Sequence, residues 1–516
     1  MKKNIFRLFV LVIIATMAAS AAYAHDRAQF NWSYKIKNGT IITKVPKRPQ
    51  GQKDAIKLTV PKINIVRVGF AGLGWRGTGA VNRWCQINGV EIKALCDYEQ
   101  QRAEAANNNI LKPMSMPPAD TYYGEFGYKD MCRRNDIDLI YIATDWEHHF
   151  EIAKCALENG KNVAIEVPSV MDLTQIWELV NLAESKRLHC TLLENCCYDF
   201  FELNTLNMAQ KGVFGEVLHV QGAYLHNLDE NWDTYWRKDK DDLLGWRLRY
   251  NQNFRGDIYP THGLGPIAQL LNIHRGDRMA TLVAMDTKAV NGPKWVEKYT
   301  GKPCTEFRNG EHTTTLIRTE NDKVIEIQHN TLSPQPYSRM YQLTGTKGFA
   351  NKYPIEGYCL NKEQMALTGI SAPGYQAGHS FLPADAMNQL VNKYRSPIVA
   401  RNEEKARKVG GHGGMDYIMD VRLVYCLQHG LPLDIDVYDL AEWCCLAELG
   451  SISMDNGNLP VQIPDFTRGH WRDVNGFSHA FASPAEEDQV DEASAEFTKQ
   501  LKAKGAEEWK KRDSGK

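Results

Sequence analysis

Gly72, Gly74 and Gly77 recur in the pattern G-x-G-x-x-G, directly behind the apolar run 65–71 and ahead of a helical pattern. In that setting the first glycine makes a tight turn and the second lets the backbone approach a pyrophosphate. The third lets helix and strand pack closely, and the phosphates sit on the helix N-terminus. Asp97 closes the next apolar run, 23 positions after Gly74, where an acid binds a ribose 2′-hydroxyl; Tyr98 rather than an arginine follows it, which favours NAD over NADP. Three further polar clusters each close an apolar run: Asp145-Trp146-Glu147-His148-His149, then Glu166-Val167-Pro168, then Glu194-Asn195 with Tyr198 just beyond. One polar strand end is usually a helix cap. Three in succession mark a site, because doubly wound sheets bind ligands outside the carboxyl ends of their strands.

The elements that must carry these residues read as strands over 65–71, 90–96, 137–143, 162–165 and 189–193. Between them lie helices over 79–87, 100–107, 149–157 and 172–186. The last of these places Leu173, Ile176, Val180 and Ala183 on one face. Strands alternating with helices predict a Rossmann-type doubly wound parallel sheet over 62–195. The second half, 196–460, changes character. Strands over 217–225, 313–319, 324–330 and 340–345 follow with few helices between them, which predicts an α+β domain on an antiparallel or mixed sheet. Helices are expected over 383–394, 415–430 and 438–449. Residues 25–61 read as an extended arm or linker. The charged end of the 461–516 tail reads as a solvated helix or a frayed segment.

Lys2, Lys3 and Arg7, an apolar stretch over 8–17 and Ala22-Tyr23-Ala24 form a signal peptide over 1–24, with cleavage expected before His25. Export to the periplasm or medium follows. No other stretch is long and apolar enough to span a bilayer. The 516 residues suffice for two to four domains at ~150 residues each. A formal charge of -1, from 61 basic and 62 acidic residues, gives no global field for nucleic acid. The 12 cysteines contain no C-x-x-C pair, so zinc-ribbon and thioredoxin readings fail, and no metal site is expected.

The glycine motif, Asp97, Glu166-Val167-Pro168 and Glu194-Asn195-Cys196-Cys197-Tyr198 resemble the Gfo/Idh/MocA oxidoreductases, which pair a Rossmann domain with a second domain on a large open, mainly antiparallel sheet. Those dehydrogenases carry Glu-Lys-Pro at the strand end, with the lysine assisting proton transfer; here Val167 stands in its place. With Gly245-Trp246-Arg247, the run Gly256-Asp257-Ile258-Tyr259-Pro260-Thr261-His262-Gly263-Leu264-Gly265-Pro266 and Pro336-Tyr337-Ser338-Arg339, the sequence is similar over about 66–348 to glycoside hydrolase family 109. Members of that family are exported NAD-dependent α-N-acetylgalactosaminidases.

The resemblance implies a redox-neutral cycle: oxidation at C3 of the sugar, elimination across C1–C2, hydration and reduction, with NAD tightly held and recycled. It places Gly72, Gly74, Trp75, Arg76, Gly77, Asp97, Trp146, Glu147, His148, His149, Glu166, Val167, Asn195, Arg247 and Tyr259 around the cofactor. Substrate contacts fall to Tyr224, Arg247, Tyr259, Pro260, Thr261, His262 and Tyr337. Tyr198 and His262 share the proton transfers. An unperturbed histidine, at ~6.5, is the easier base; a tyrosine, at ~10, needs a lowered pKa. Which of the two takes the C2 proton and which the C3 proton stays open, as do two other functions: a net NAD-dependent sugar dehydrogenase, and an exported glycan-binding protein with structural NAD. The open sheet offers a surface for homo-oligomers.

Overall fold

A computed structural model describes residues 33–228 and 244–515, so the expected signal segment 1–24 lies outside the described residues. Six parallel strands form the first sheet, in the order Asp120–Tyr123, Val90–Asp97, Val66–Ala71, Leu139–Ile142, Asn162–Glu166, Cys190–Leu193. In chain order that is 3-2-1-4-5-6, the Rossmann arrangement, and the strand order reverses beside Val66–Ala71. The central strands are buried on both faces, which is why they read as unbroken apolar runs. Phe70, Trp84 and Tyr141, all fully buried, pack as a triad with ring centroids 5.0–5.7 Å apart. The helix Leu173–Lys186 starts at Asp172, whose side chain accepts from the Gln175 N–H, and buries Leu173, Ile176, Val180 and Ala183 as its period requires.

The second sheet has ten strands. Seven of them run, out to one edge, Met279–Asp286, Thr313–Thr319, Val324–Asn330, Val217–Leu225, Gln342–Gly345, Gly348–Asn351 and Gly357–Leu360. Neighbours are antiparallel except Val324–Asn330 with Val217–Leu225 and Val461–Gln462 with Thr40–Thr43. The helix Thr261–Leu270 lies on Val217–Leu225 backbone to backbone: a Cβ on Gly222 would sit 2.2 Å from the Gly263 oxygen. That contact fixes the helix's height above the sheet.

The arm differs from the sequence expectation, and the expected tail helix is present but packed rather than solvated. The arm is not merely extended: Tyr34–Lys37 and Thr40–Thr43 form a hairpin that completes one edge of the large sheet through Val461–Gln462. The tail holds a 30-residue helix, Pro484–Asp513, that packs back on the Rossmann domain. Its buried face uses Ser494, Thr498, Leu501, Gly505 and Trp509, so the helical spacing was written mostly in small polar residues and not in aliphatic ones. Thr498 Oγ1 accepts from Gly89 N at 3.0 Å, and Trp509 Nε1 donates to Met116 O at 2.7 Å. Trp509→Ala removes that bond and most of the helix's apolar anchor. It is expected to cost about 3 kcal/mol, read as a lowered midpoint in urea unfolding. Among the described residues no helix is long and apolar enough to cross a membrane.

Candidate active site

Gly72 leaves the strand Val66–Ala71 at φ +88°, where a Cβ would fall 2.5 Å from the Ala143 carbonyl carbon. At Gly77 a Cβ would fall 1.8 Å from the Gly72 oxygen. Gly74 is different: a Cβ there would meet nothing within 4 Å, so its glycine leaves open space over the first turn of Trp75–Trp84. A glycine that packing does not demand, beside the unpaired N–H groups of a helix start, fits a close-lying pyrophosphate. Asp97 Oδ2 accepts from Leu73 N at 2.7 Å and Oδ1 from Glu99 N at 2.9 Å. The carboxylate therefore braces the loop, and each oxygen keeps a lone pair for a ribose hydroxyl. These residues fit NAD.

The next strand ends converge on the same rim. Asp145 caps the helix Trp146–Glu158, accepting from His148 N at 3.2 Å and meeting His148 Nδ1 at 2.5 Å. Glu147 lies 3.4 Å from Arg249 Nη2. Trp146 Nε1 donates to Val167 O at 3.3 Å. His149 is fully buried among the carbonyls of Thr144, Pro168 and Ser169, at 3.0–3.1 Å, and joins two rim loops rather than facing a ligand. Glu166 Oε1 accepts from Arg76 Nε at 2.6 Å and from Tyr141 OH at 3.2 Å. Arg76 Nη1 donates to Asp416 Oδ2, and Asn195 Nδ2 donates to Asp416 Oδ1, both at 2.6 Å.

The second domain supplies the opposite wall. His262 is the second residue of the helix Thr261–Leu270, and its Nδ1 lies 2.7 Å from Glu194 Oε1, at the end of the Rossmann strand Cys190–Leu193. Burial pushes the Glu194 carboxyl up. The charge that His262 carries when protonated, with the hydrogen bonds from His262 and the Cys196 N–H, outweighs burial and holds it below the usual carboxylate range. An ionised Glu194 requires Nδ1 to donate, which puts the lone pair on Nε2. Nε2 lies 3.5 Å from Tyr259 OH. Tyr224 stacks on Tyr259 at 4.3 Å and meets the His262 ring edge-on at 5.4 Å. The Arg247 guanidinium lies 5.2 Å from the rings of Trp146, Trp246 and Tyr259 and reaches Tyr224 OH at 3.5 Å. Tyr337 stands at the mouth, edge-on to His226 at 4.9 Å. Burial, with the Arg247 charge, pushes His226 down to about 4, so the ring is neutral, and its Nδ1 shares a hydrogen bond of 2.9 Å with Tyr224 OH.

The structure thus brings together His262, Tyr224, Tyr259, Arg247 and Trp146, with Tyr337 at the rim. Pro260 and Thr261 are buried at the helix start, where they aim His262. Tyr198 is placed otherwise. Its hydroxyl donates to Asp434 Oδ2 at 3.4 Å, and Asp434 is bound on both oxygens by Arg422. Burial and the Asp434 charge hold the Tyr198 phenol well above its ordinary value, the reverse of the lowering a tyrosine base needs. Two residues escaped the sequence reading: Glu194 as the partner of His262, and Asp416. Asp416 follows the run Gly410-Gly411-His412-Gly413-Gly414, a glycine density that marks a turn packed tightly on something. Glu194, Cys196 and His262 offer ligand atoms within 4.8 Å of one another, as do His274, Asp436 and Asp439. Hydrogen bonds and ion pairs engage both sets: Glu194 with His262, and the second set with Arg275 and Glu442.

Residues 66–193 match the model of the oxidoreductase family with an NAD-binding Rossmann fold, and residues 198–473 match that of the C-terminal domain of glycosyl hydrolase 109. Glycosyl hydrolase family 109 protein 4 of Phocaeicola vulgatus is 60% identical over 502 residues, covering 96% of each chain. The family 109 protein of Porphyromonas gingivalis is 50% identical over 481 residues, 93% of this chain and 100% of its own. Among solved structures, levoglucosan dehydrogenase in complex with NADH and L-sorbose superposes with a TM-score of 0.56 at 16% identity, covering 78% of this chain and 100% of the other. An Agrobacterium radiobacter oxidoreductase in complex with NAD+, L-tartaric acid and magnesium gives 0.53 at 15% identity, covering 77% and 98%. The chain belongs to glycosyl hydrolase family 109, built on the NAD-binding Rossmann fold of the Gfo/Idh/MocA oxidoreductases.

Proposed function

We propose that the protein is an exported glycosidase that releases N-acetylgalactosamine from α-linked glycans through a redox-neutral, NAD-dependent cycle of oxidation, elimination, hydration and reduction. When bound, NAD supplies hydride acceptance at C3 of the sugar and return of that hydride at the end. The chain's own task is to hold the sugar and to move the C2 proton. The observation that carries this reading is the Glu194–His262 pair, with Nδ1 tied down and the Nε2 lone pair aimed into the aromatic wall. A neutral imidazole so oriented is a general base. Glu194 stabilises the imidazolium that forms, and Nε2 can return the proton. Tyr224 and Tyr259 offer a stacked face and hydroxyl donors for a sugar, and Arg247 offers a planar fork for the acetamido carbonyl or ring hydroxyls. Val167 has no proton to give, which leaves proton transfer to the second domain. Direct displacement by two carboxylates asks for an acid and a base or nucleophile astride the glycosidic bond. Here Glu166 is held by Arg76 and Glu194 by His262.

The test is incubation of purified protein with an aryl α-N-acetylgalactosaminide and no added NAD. Aglycone release over many turnovers without NADH accumulation is expected. NADH formation with free sugar would instead indicate a net dehydrogenase, and no reaction a binding protein.

A further inference from the structure

Asp416, in the first turn of the helix Met415–His429, has a side chain only 1% exposed and binds three donors from three separate stretches of chain. Oδ2 accepts from Arg76 Nη1 at 2.6 Å and meets His412 Nδ1 at 2.9 Å; Oδ1 accepts from Asn195 Nδ2 at 2.6 Å. Arg76 lies within the glycine motif, in the first turn of the helix Trp75–Trp84, and Asn195 just past the last Rossmann strand. One carboxylate from the second half of the chain therefore bridges both flanks of the dinucleotide site.

The loop that delivers it is built around that carboxylate. Residues 410–414 all have positive φ. A Cβ on Gly411 would lie 2.7 Å from Asp416 Cβ, and one on Gly414 2.9 Å from the Ala406 backbone, so those positions admit only glycine. His412 sits among them at φ 46°, a conformation a glycine would adopt without strain. Its side chain is 47% exposed, so core packing does not explain a histidine there. Its imidazole instead binds Asp416 and presents an edge to the Trp75 indole, 6.3 Å away at 77°. Trp75 is the first residue of the helix behind Gly74, the position left open above the loop. One face of the same interface is plain packing: Arg83 and Asp420, each one or two turns further along their helices, pair at 2.7 Å with both side chains buried.

We propose that the 410–416 loop is a latch on the dinucleotide site: Asp416 positions Arg76 and Asn195 for bound NAD, and His412 closes the mouth opposite Trp75. Nucleotide then exchanges only when these bonds open. The inference rests on the reading that the Rossmann site holds NAD, and it adds Asp416 and His412 as positioning residues for its retention.

The test measures exchange of bound NAD for fluorescent etheno-NAD in the full-length protein. Asp416→Asn is expected to speed exchange tenfold or more, and His412→Ala threefold or more, with thermal unfolding of His412→Ala unchanged. His412 is exposed, so its variant decides the matter even if Asp416→Asn fails to fold. Wild-type exchange rates in His412→Ala, and in Asp416→Asn where it folds, overturn the latch alone. A wild-type protein that yields no nucleotide on acid denaturation and also takes none up overturns the dinucleotide reading and the latch with it.

Discussion

His262→Ala is expected to lower turnover by ~10² or more while leaving substrate affinity little changed; losing the ring also leaves the buried Glu194 carboxylate without its partner, so the unfolding midpoint falls as well. The helix start that carries His262 is held by the Gly222–Gly263 contact, so the backbone of the site keeps its place without the imidazole. Glu194→Gln is expected to lose a similar factor. The oxygen that faces Nδ1 also accepts from Cys196 N at 3.0 Å, so the amide oxygen keeps that place and Nδ1 goes on donating; what is lost is the negative charge that stabilises the imidazolium. Tyr198→Phe is the counterpart. Its hydroxyl serves Asp434, which keeps both Arg422 bonds without it, so turnover is expected to stay within about fivefold of wild type. Steady-state kinetics on an aryl glycoside, with bound nucleotide checked in each variant, makes the comparison. A collapse in Tyr198→Phe beside an active His262→Ala would transfer the base to the tyrosine.

Gly77→Ala is expected to abolish nucleotide retention and to destabilise the Rossmann domain by about 3 kcal/mol, because its methyl would fall 1.8 Å from a backbone oxygen and the loop must move. Gly74→Ala separates the ligand from the fold. Its methyl meets no protein atom within 4 Å, so stability should change by less than about 1 kcal/mol while bound NAD is lost to the added bulk. Thermal unfolding and assay of acid-released nucleotide distinguish the two. Equal nucleotide content in Gly74→Ala and wild type would mean that the open space above this loop is not where the pyrophosphate lies.

The Rossmann half was legible because every step of it is local. Strand 65–71, the glycine turn and Asp97 lie within 33 residues, and fully buried parallel strands show as apolar runs. The short edge strand Asp120–Tyr123, with no buried-on-both-faces run to betray it, escaped notice. So did Met279–Asp286, whose buried and part-exposed residues do not alternate strictly. In the site, the types were legible and the pairings were not. Glu194 and His262 stand 68 positions apart, and Asp416 stands 340 from Arg76. Nothing in either local pattern says that one carboxylate will meet an imidazole and another an arginine. Tyr198 shows the converse: it follows a polar strand end within four residues, yet a short helical turn gives its hydroxyl to Asp434.

In the proposed cycle the glycosidic bond breaks by elimination, so the C2–H bond breaks in every turnover. Hydrolysis of an α-N-acetylgalactosaminide in deuterated water, with the released sugar examined by proton NMR and mass spectrometry, tests this most directly. Deuterium is expected at C2 of the product, carried in when His262 returns a solvent-exchanged proton, and none at C3. Product sugar with hydrogen fully retained at C2, released at the ordinary rate and with no isotope effect from C2- or C3-deuterated substrate, would contradict it.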